Sequence, residues 1–78
     1  MFYTYVLKSK KDNKLYVGQS NNLRRRIIDH SKGVVLSTKH RRPLELVYYE
    51  SCLNEKKSIK REKFFKTGFG RKFLKNRI

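Results

Sequence analysis

The run Tyr16-Val17-Gly18-Gln19-Ser20-Asn21-Asn22-Leu23-Arg24-Arg25-Arg26-Ile27-Ile28-Asp29-His30 reads as the end of a strand, a tight turn and an entering helix. Tyr16 and Val17 are strand formers, Gly18 permits close approach or an unusual backbone angle, and Ser20, Asn21 and Asn22 can each cap the helix that follows. That helix is expected to reach about Lys32 and stop at Gly33. At about 100° per residue, Leu23, Ile27 and His30 share a narrow arc with Arg26 at its edge, whereas Arg24 and Arg25 point elsewhere. Taken alone, the helix reads as packing, with Arg26 snorkelling from the rim of a core and His30 a satisfied core histidine. The rest of the chain gives the pair a second meaning.

Upstream, Phe2 to Lys8 is dense in aromatic and β-branched residues, which suits a central strand. Ser9 to Lys14 forms a turn around the Asp12-Asn13 pair, and Leu15 to Gln19 returns as the second strand of a hairpin. Tyr5 and Tyr16 are the two phenols that this pairing brings near each other. Downstream, Lys32 to Pro43 reads as a loop whose Lys39-His40-Arg41-Arg42 run suits phosphate contact, with His40 an exposed surface group. Leu44 to Glu50 has the composition of a third strand, with Leu44, Leu46 and Tyr48 on one face by alternation. Asn54 caps a second helix from Glu55 to about Lys66, ended by Thr67-Gly68. Glu62 falls in the middle of the face that carries Ser58, Ile59 and Phe65. A carboxylate there needs a partner, which a bound metal or Arg26 would supply, unless the helix turns Phe64 inward and leaves Glu62 half exposed. The tail from Phe69 forms a short helix that can dock Phe73, Leu74 and Ile78.

With 78 residues the chain has room for one domain, residues 1–78, and one modest core. Its net charge of +15, from 21 Lys and Arg against 6 Asp and Glu, is lopsided enough to call for a polyanionic partner, nucleic acid first. The lone cysteine, Cys52, excludes an internal disulfide and a Cys/His zinc cluster, and reads as a small buried residue at a strand end. The N-terminal apolar run is too short for a signal peptide or a membrane span, so a soluble, cytoplasmic protein is expected.

These blocks, taken in order, resemble the GIY-YIG nucleases, in particular the small single-domain members. The first family element falls on Thr4-Tyr5-Val6, tyrosine kept and glycine replaced, and the second on Tyr16-Val17-Gly18. The Gly-x-Ser-x-Asn-Leu-x-x-Arg-Ile-x-x-His run from Gly18 to His30 aligns without gaps and places the family arginine on Arg26 and its histidine on His30. Arg42 to Glu50 and Lys60 to Lys63 also match, the latter placing the metal-binding carboxylate on Glu62. For the family's late asparagine the C-terminal candidate is Asn76. The resemblance implies an α/β (α+β) fold with a three-stranded antiparallel sheet flanked by helices.

It also implies an endonuclease that hydrolyses phosphodiester bonds in DNA, structure-selective or weakly sequence-specific, with Tyr5, Tyr16, Arg26, His30 and Glu62 as its catalytic set. Glu62 would hold a single Mg²⁺ or Mn²⁺ ion, a hard cation that prefers oxygen ligands. Arg26 would clasp the phosphate through its planar fork. Tyr5, or second Tyr16, would position or deprotonate the water, and His30 would accept the proton or orient the tyrosine. Arg24, Lys39, Arg41, Arg42, Lys63 and Arg71 are the cations set to meet the nucleic acid. The main alternative is a non-catalytic basic module that binds RNA or DNA; a basic surface meeting an acidic protein is a third reading.

Overall fold

Four successive residues of the first strand, Thr4, Tyr5, Val6 and Leu7, are buried. Because neighbouring side chains on a strand point to opposite faces, such a run requires cover on both sides of the sheet. The computed structural model, which describes residues 1–78, supplies it. Strand β1 (Phe2–Ser9) lies between β2 (Leu15–Ser20) and β3 (Leu44–Cys52), antiparallel to both. Helix α1 (Leu23–Lys32) follows β2, a single 3₁₀ turn (Lys39–Arg41) precedes β3, and α2 (Glu55–Phe65) and α3 (Gly68–Lys75) close the chain. The α+β class and the three-stranded sheet thus agree with the expectation.

Thr4 faces α2, where its hydroxyl donates to the Ser58 carbonyl at 3.0 Å. On that same face Val6, Val17, Phe65 and Leu74 form the apolar core, with Leu15, Val47, Tyr48, Phe64 and Phe73 against it. Tyr5 faces the other way, toward α1. The helix starts are those the sequence signals. Asn22 accepts from the Arg25 amide, Asn54 from the Lys57 amide and Thr67 from the Gly70 amide, each supplying a partner for an otherwise free N–H. Asn13 adopts the left-handed conformation (φ 60°) of the hairpin turn.

Three expectations are corrected. The pairing of β1 with β3 shifts between Val6 and Leu7, Val6 facing Tyr48 and Leu7 facing Leu46. This bulge breaks the alternation assumed for Leu44, Leu46 and Tyr48: adjacent Val47 and Tyr48 both pack on the core, and Leu46 is exposed. Ile78 does not dock, being 47% exposed, while Leu74 and Phe73 do. Cys52 is half-buried and donates to the Asn54 carbonyl at 3.2 Å. No helix is long and apolar enough to cross a membrane.

Arg61 joins the helices to the sheet. Its guanidinium lies 4.6 Å from the ring centre of Phe65, and within about the same reach of Phe64 and Phe73, while its Nε donates to Glu50 on β3 at 2.5 Å. That pairing holds Glu50 below the usual carboxylate range, although burial opposes it. Arg77 stacks 3.6 Å over the outer side of Phe73.

Candidate active site

Register places the two phenols. Tyr5 sits opposite Gly18 and Leu7 opposite Tyr16, so Tyr5, Gly18 and Tyr16 share the sheet face that α1 covers. A β-carbon added to Gly18 would collide with the ring and hydroxyl of Tyr5, which shows why this position lacks a side chain: the phenol lies across β2, the edge strand. Gly18→Ala is therefore expected to cost about 1–3 kcal/mol, since a sealed ring cannot swing into solvent, a drop of roughly 4–8 °C in Tm per kcal/mol for a domain of this size. Thermal denaturation checks it, and in a Tyr5→Leu background the alanine should cost much less.

His30, in the last turn of α1, enters the space between the phenols. Its ring packs edge-on against Tyr5 and Tyr16 at 5.6 and 5.3 Å between centres. Its Nε2 lies 2.8 Å from the Tyr5 hydroxyl and its Nδ1 lies 2.7 Å from the Thr38 hydroxyl. Tyr5 and His30 are each only 1% exposed. Burial first, and then the nearby Arg26 charge, push the His30 pKa down, so the imidazole is neutral near pH 7. Burial raises the Tyr5 phenol above its ordinary value. Arg26 opposes that rise. Its guanidinium sits close enough to the Tyr5 oxygen for each to shift the other, short of full hydrogen-bond geometry, and the interaction raises Arg26 itself. The Glu62 charge reaches the same phenol from α2 and pushes it up. His30 thus contacts the Tyr5 oxygen, Arg26 and Glu62 bear on it through their charges, and Tyr16 packs edge-on against the same histidine.

Other expectations look different in place. The cation beside Glu62 is Lys66, one turn along α2 at 3.3 Å, and not Arg26; helical i,i+4 spacing brings it there. Arg41 and Arg42 secure the loop. Arg41 bridges Asp12 at 3.0 Å and donates to the Lys14 carbonyl, holding the Asp12 pKa down to about 2. Arg42 donates to the Lys39 and Ser31 carbonyls, its guanidinium filling the space beside Gly33 (φ 77°) where a side chain would stand. Arg24, Lys63 and Arg71 are exposed, and Lys39 is half-buried. Asn76 ends α3, its amide donating to the Phe73 and Leu74 carbonyls. Thr38, buried completely, is the site residue that sequence reasoning did not select; a signal for it was the need of an inward-facing histidine for a second polar partner.

No group of three or more His, Cys, Asp or Glu side chains gathers to hold a metal. The donor at hand is one carboxylate, Glu62, a quarter exposed at its side chain. That chemistry fits a magnesium-like ion, which takes one or two protein oxygens and fills its remaining positions with water and substrate phosphate.

Comparisons with known proteins agree with one another. A family model described as the GIY-YIG catalytic domain matches residues 1–76. A UPF0213 protein of Staphylococcus saprophyticus is 40% identical over 74 residues, covering 94% of this chain and 89% of that protein. One from Clostridium perfringens is 42% identical over 67 residues, covering 85% and 71%. The solution NMR structure of a UPF0213 protein from Bacillus halodurans superimposes with a TM-score of 0.61 at 26% identity, covering 97% of this chain and 84% of that one.

Proposed function

Because the chain belongs to the GIY-YIG catalytic domain family, we propose that it is a phosphodiester hydrolase: a divalent-metal-dependent endonuclease acting on nucleic acid, DNA first, and selecting structure more than sequence. The observation that carries this reading is the buried Tyr5 hydroxyl, 2.8 Å from the His30 Nε2 on the face of the sheet turned to α1. A phenol sealed against a neutral imidazole, with the Arg26 charge bearing on its oxygen, makes a poor structural core and a reasonable acid–base centre.

Arg26 would hold the scissile phosphate by two of its N–H groups and lend positive charge to its oxygens. Tyr5 is too deeply buried to draw water from bulk solvent, so it would act on a water that arrives with the phosphate held by Arg26. His30 would keep the Tyr5 hydroxyl in place. Tyr16 is half-buried, its hydroxyl accepting from Ser37 at 3.3 Å, and would wall the site on the solvent side. Glu62 would hold the metal ion, exchanging the exposed Lys66 ammonium for it. When bound, the ion supplies Lewis-acid stabilisation of charge developing on the phosphate.

The test is incubation of purified protein with labelled single-stranded, duplex and branched DNA and RNA in Mg²⁺, in Mn²⁺ and in chelator. Cleavage that needs the metal is expected; binding without cleavage under every metal would favour a binding module instead. Affinity should fall by roughly a thousandfold between 50 and 200 mM salt for a site of ~6 phosphate contacts, as a salt titration would measure. A salt-indifferent affinity would remove nucleic acid as the partner.

A further inference from the structure

Two depressions in the surface share Arg71. One lies beside the edge strand β2, where Arg71 lines it together with Tyr16 and with Lys66, the partner of Glu62. The other runs along α3 past Arg71, Lys72 and Lys75, with Gly68 and Asn76 at its ends. A path therefore leads from the rim of the candidate active site onto the outer face of α3. A basic helix face by itself is commonly no more than a solvated surface, and this one differs in what its charges do. From Lys63 to Ile78 the chain has six Lys and Arg and no Asp or Glu. Lys66 pairs with Glu62 and Arg77 lies on Phe73, whereas the side chains of Arg71, Lys72 and Lys75 are exposed and form no ion pair or hydrogen bond. The basic depression beside the 3₁₀ turn is unlike it: Lys11 donates to the His40 carbonyl there, and Arg42 to those of Lys39 and Ser31.

At about 100° per residue, Gly70 and Leu74 turn to the core, and an arc from Arg71 through Lys75, Gly68 and Lys72 to Phe69 faces outward. A side chain at Gly68 would meet nothing within 4 Å, so packing does not require the glycine, which leaves the strip between Lys72 and Lys75 bare. Phe69 is 83% exposed, although Phe73, one turn on, packs among Phe64, Phe65 and Tyr48. A ring beside a row of unpaired cations is the combination that holds a single strand, phosphates on the charges and an unstacked base on the ring. A duplex keeps its bases stacked and can use the charges alone.

We propose that the outer face of α3 is a track for a single-stranded segment of nucleic acid, with Arg71, Lys72 and Lys75 on its phosphates and Phe69 stacked on an unpaired base. The substrate then carries an unpaired stretch beside the bond to be cut. The track rests on nucleic acid being the partner, and its place next to the cut rests on the nuclease reading.

Fluorescence anisotropy in chelator, with a dye-labelled oligothymidylate and a duplex of equal length, separates binding from cleavage. Phe69→Ala should melt with wild type, bind the single strand on the order of tenfold more weakly, and bind the duplex as before. Lys72→Gln combined with Lys75→Gln should lower the slope of log affinity against log salt on the single strand by about 1.4. Lys57→Gln with Lys60→Gln, the same loss of charge on α2, should leave that slope nearly unchanged. Equal effects from the two double variants overturn the proposal, as does Phe69→Ala that binds the strand like wild type or loses strand and duplex alike. A wild type that binds no single strand also overturns it. Variants that bind like wild type, in a protein that cleaves, sink the track and leave the nuclease reading standing. The expected binding losses in a protein that cuts nothing uphold the track and sink the nuclease reading.

Discussion

Glu62→Gln is expected to reduce cleavage by roughly a hundredfold or more while leaving the protein folded and able to bind. The change keeps the shape of the side chain and removes the charge that would hold a divalent ion, whose stabilisation of a phosphoryl transition state is worth several kcal/mol. Little stability goes with it. The ion pair lost is a helical i,i+4 contact to Lys66, whose ammonium is 57% exposed, and such pairs contribute about 0.3–0.5 kcal/mol. Affinity should hold or tighten, since one negative charge facing phosphates is gone. Cleavage rate, binding titration and melting temperature on one preparation check all three. A variant that melts far below wild type, with no activity in wild type to lose, would assign Glu62 to architecture.

Tyr5→Phe is the second large effect, and here activity and stability fall together. Removing the hydroxyl deprives His30 of its partner at Nε2 in a place closed to bulk water when no substrate is bound, an orphaned polar group that costs about 1–3 kcal/mol. The same oxygen is the proposed acid–base group, so single-turnover cleavage should drop by roughly a hundred- to ten-thousandfold. Tyr16→Phe provides the contrast. Its hydroxyl meets only Ser37, near the surface, so stability should barely move. If Tyr5→Phe cleaved at the wild-type rate while Tyr16→Phe did not, the roles of the two phenols would be exchanged.

What the sequence made legible was local. The turn at Asn13, the caps at Asn22 and Asn54, the stop at Gly33 and the three strands all rest on neighbours within a few residues, and they stand as expected. Tyr5, Arg26, His30 and Glu62 were found through ordered blocks of resemblance; periodicity placed Arg26, His30 and Glu62 on helix faces without saying that His30 would meet the Tyr5 phenol. The bulge opposite Val6 and Leu7 escaped because it is a property of how β3 registers on β1, some forty residues away. Arg41 and Arg42 were read as free cations because Asp12 and the carbonyls they grip come from other parts of the chain. The Lys66 partner of Glu62 was within reach of the helical spacing rule, and the prospect of a pairing with Arg26 obscured it.

The anchoring of the arginines has a bearing on what this surface could discriminate. Arg25 pairs with Asp29, Arg26 attends Tyr5, Arg41 holds Asp12, Arg42 closes the end of α1, Arg61 joins Glu50 to the aromatic cluster, and Arg77 lies on Phe73. Only Arg24 and Arg71 among the eight have no such engagement, so the cations left to face outward are mostly lysines. A lysine is a point charge on a flexible stem; the planar fork that grips the two acceptors of a guanine edge belongs to arginine. Having invested its forks in holding itself together, the chain presents a surface that feels the outline and charge of a polyanion and has few means of telling one base from another.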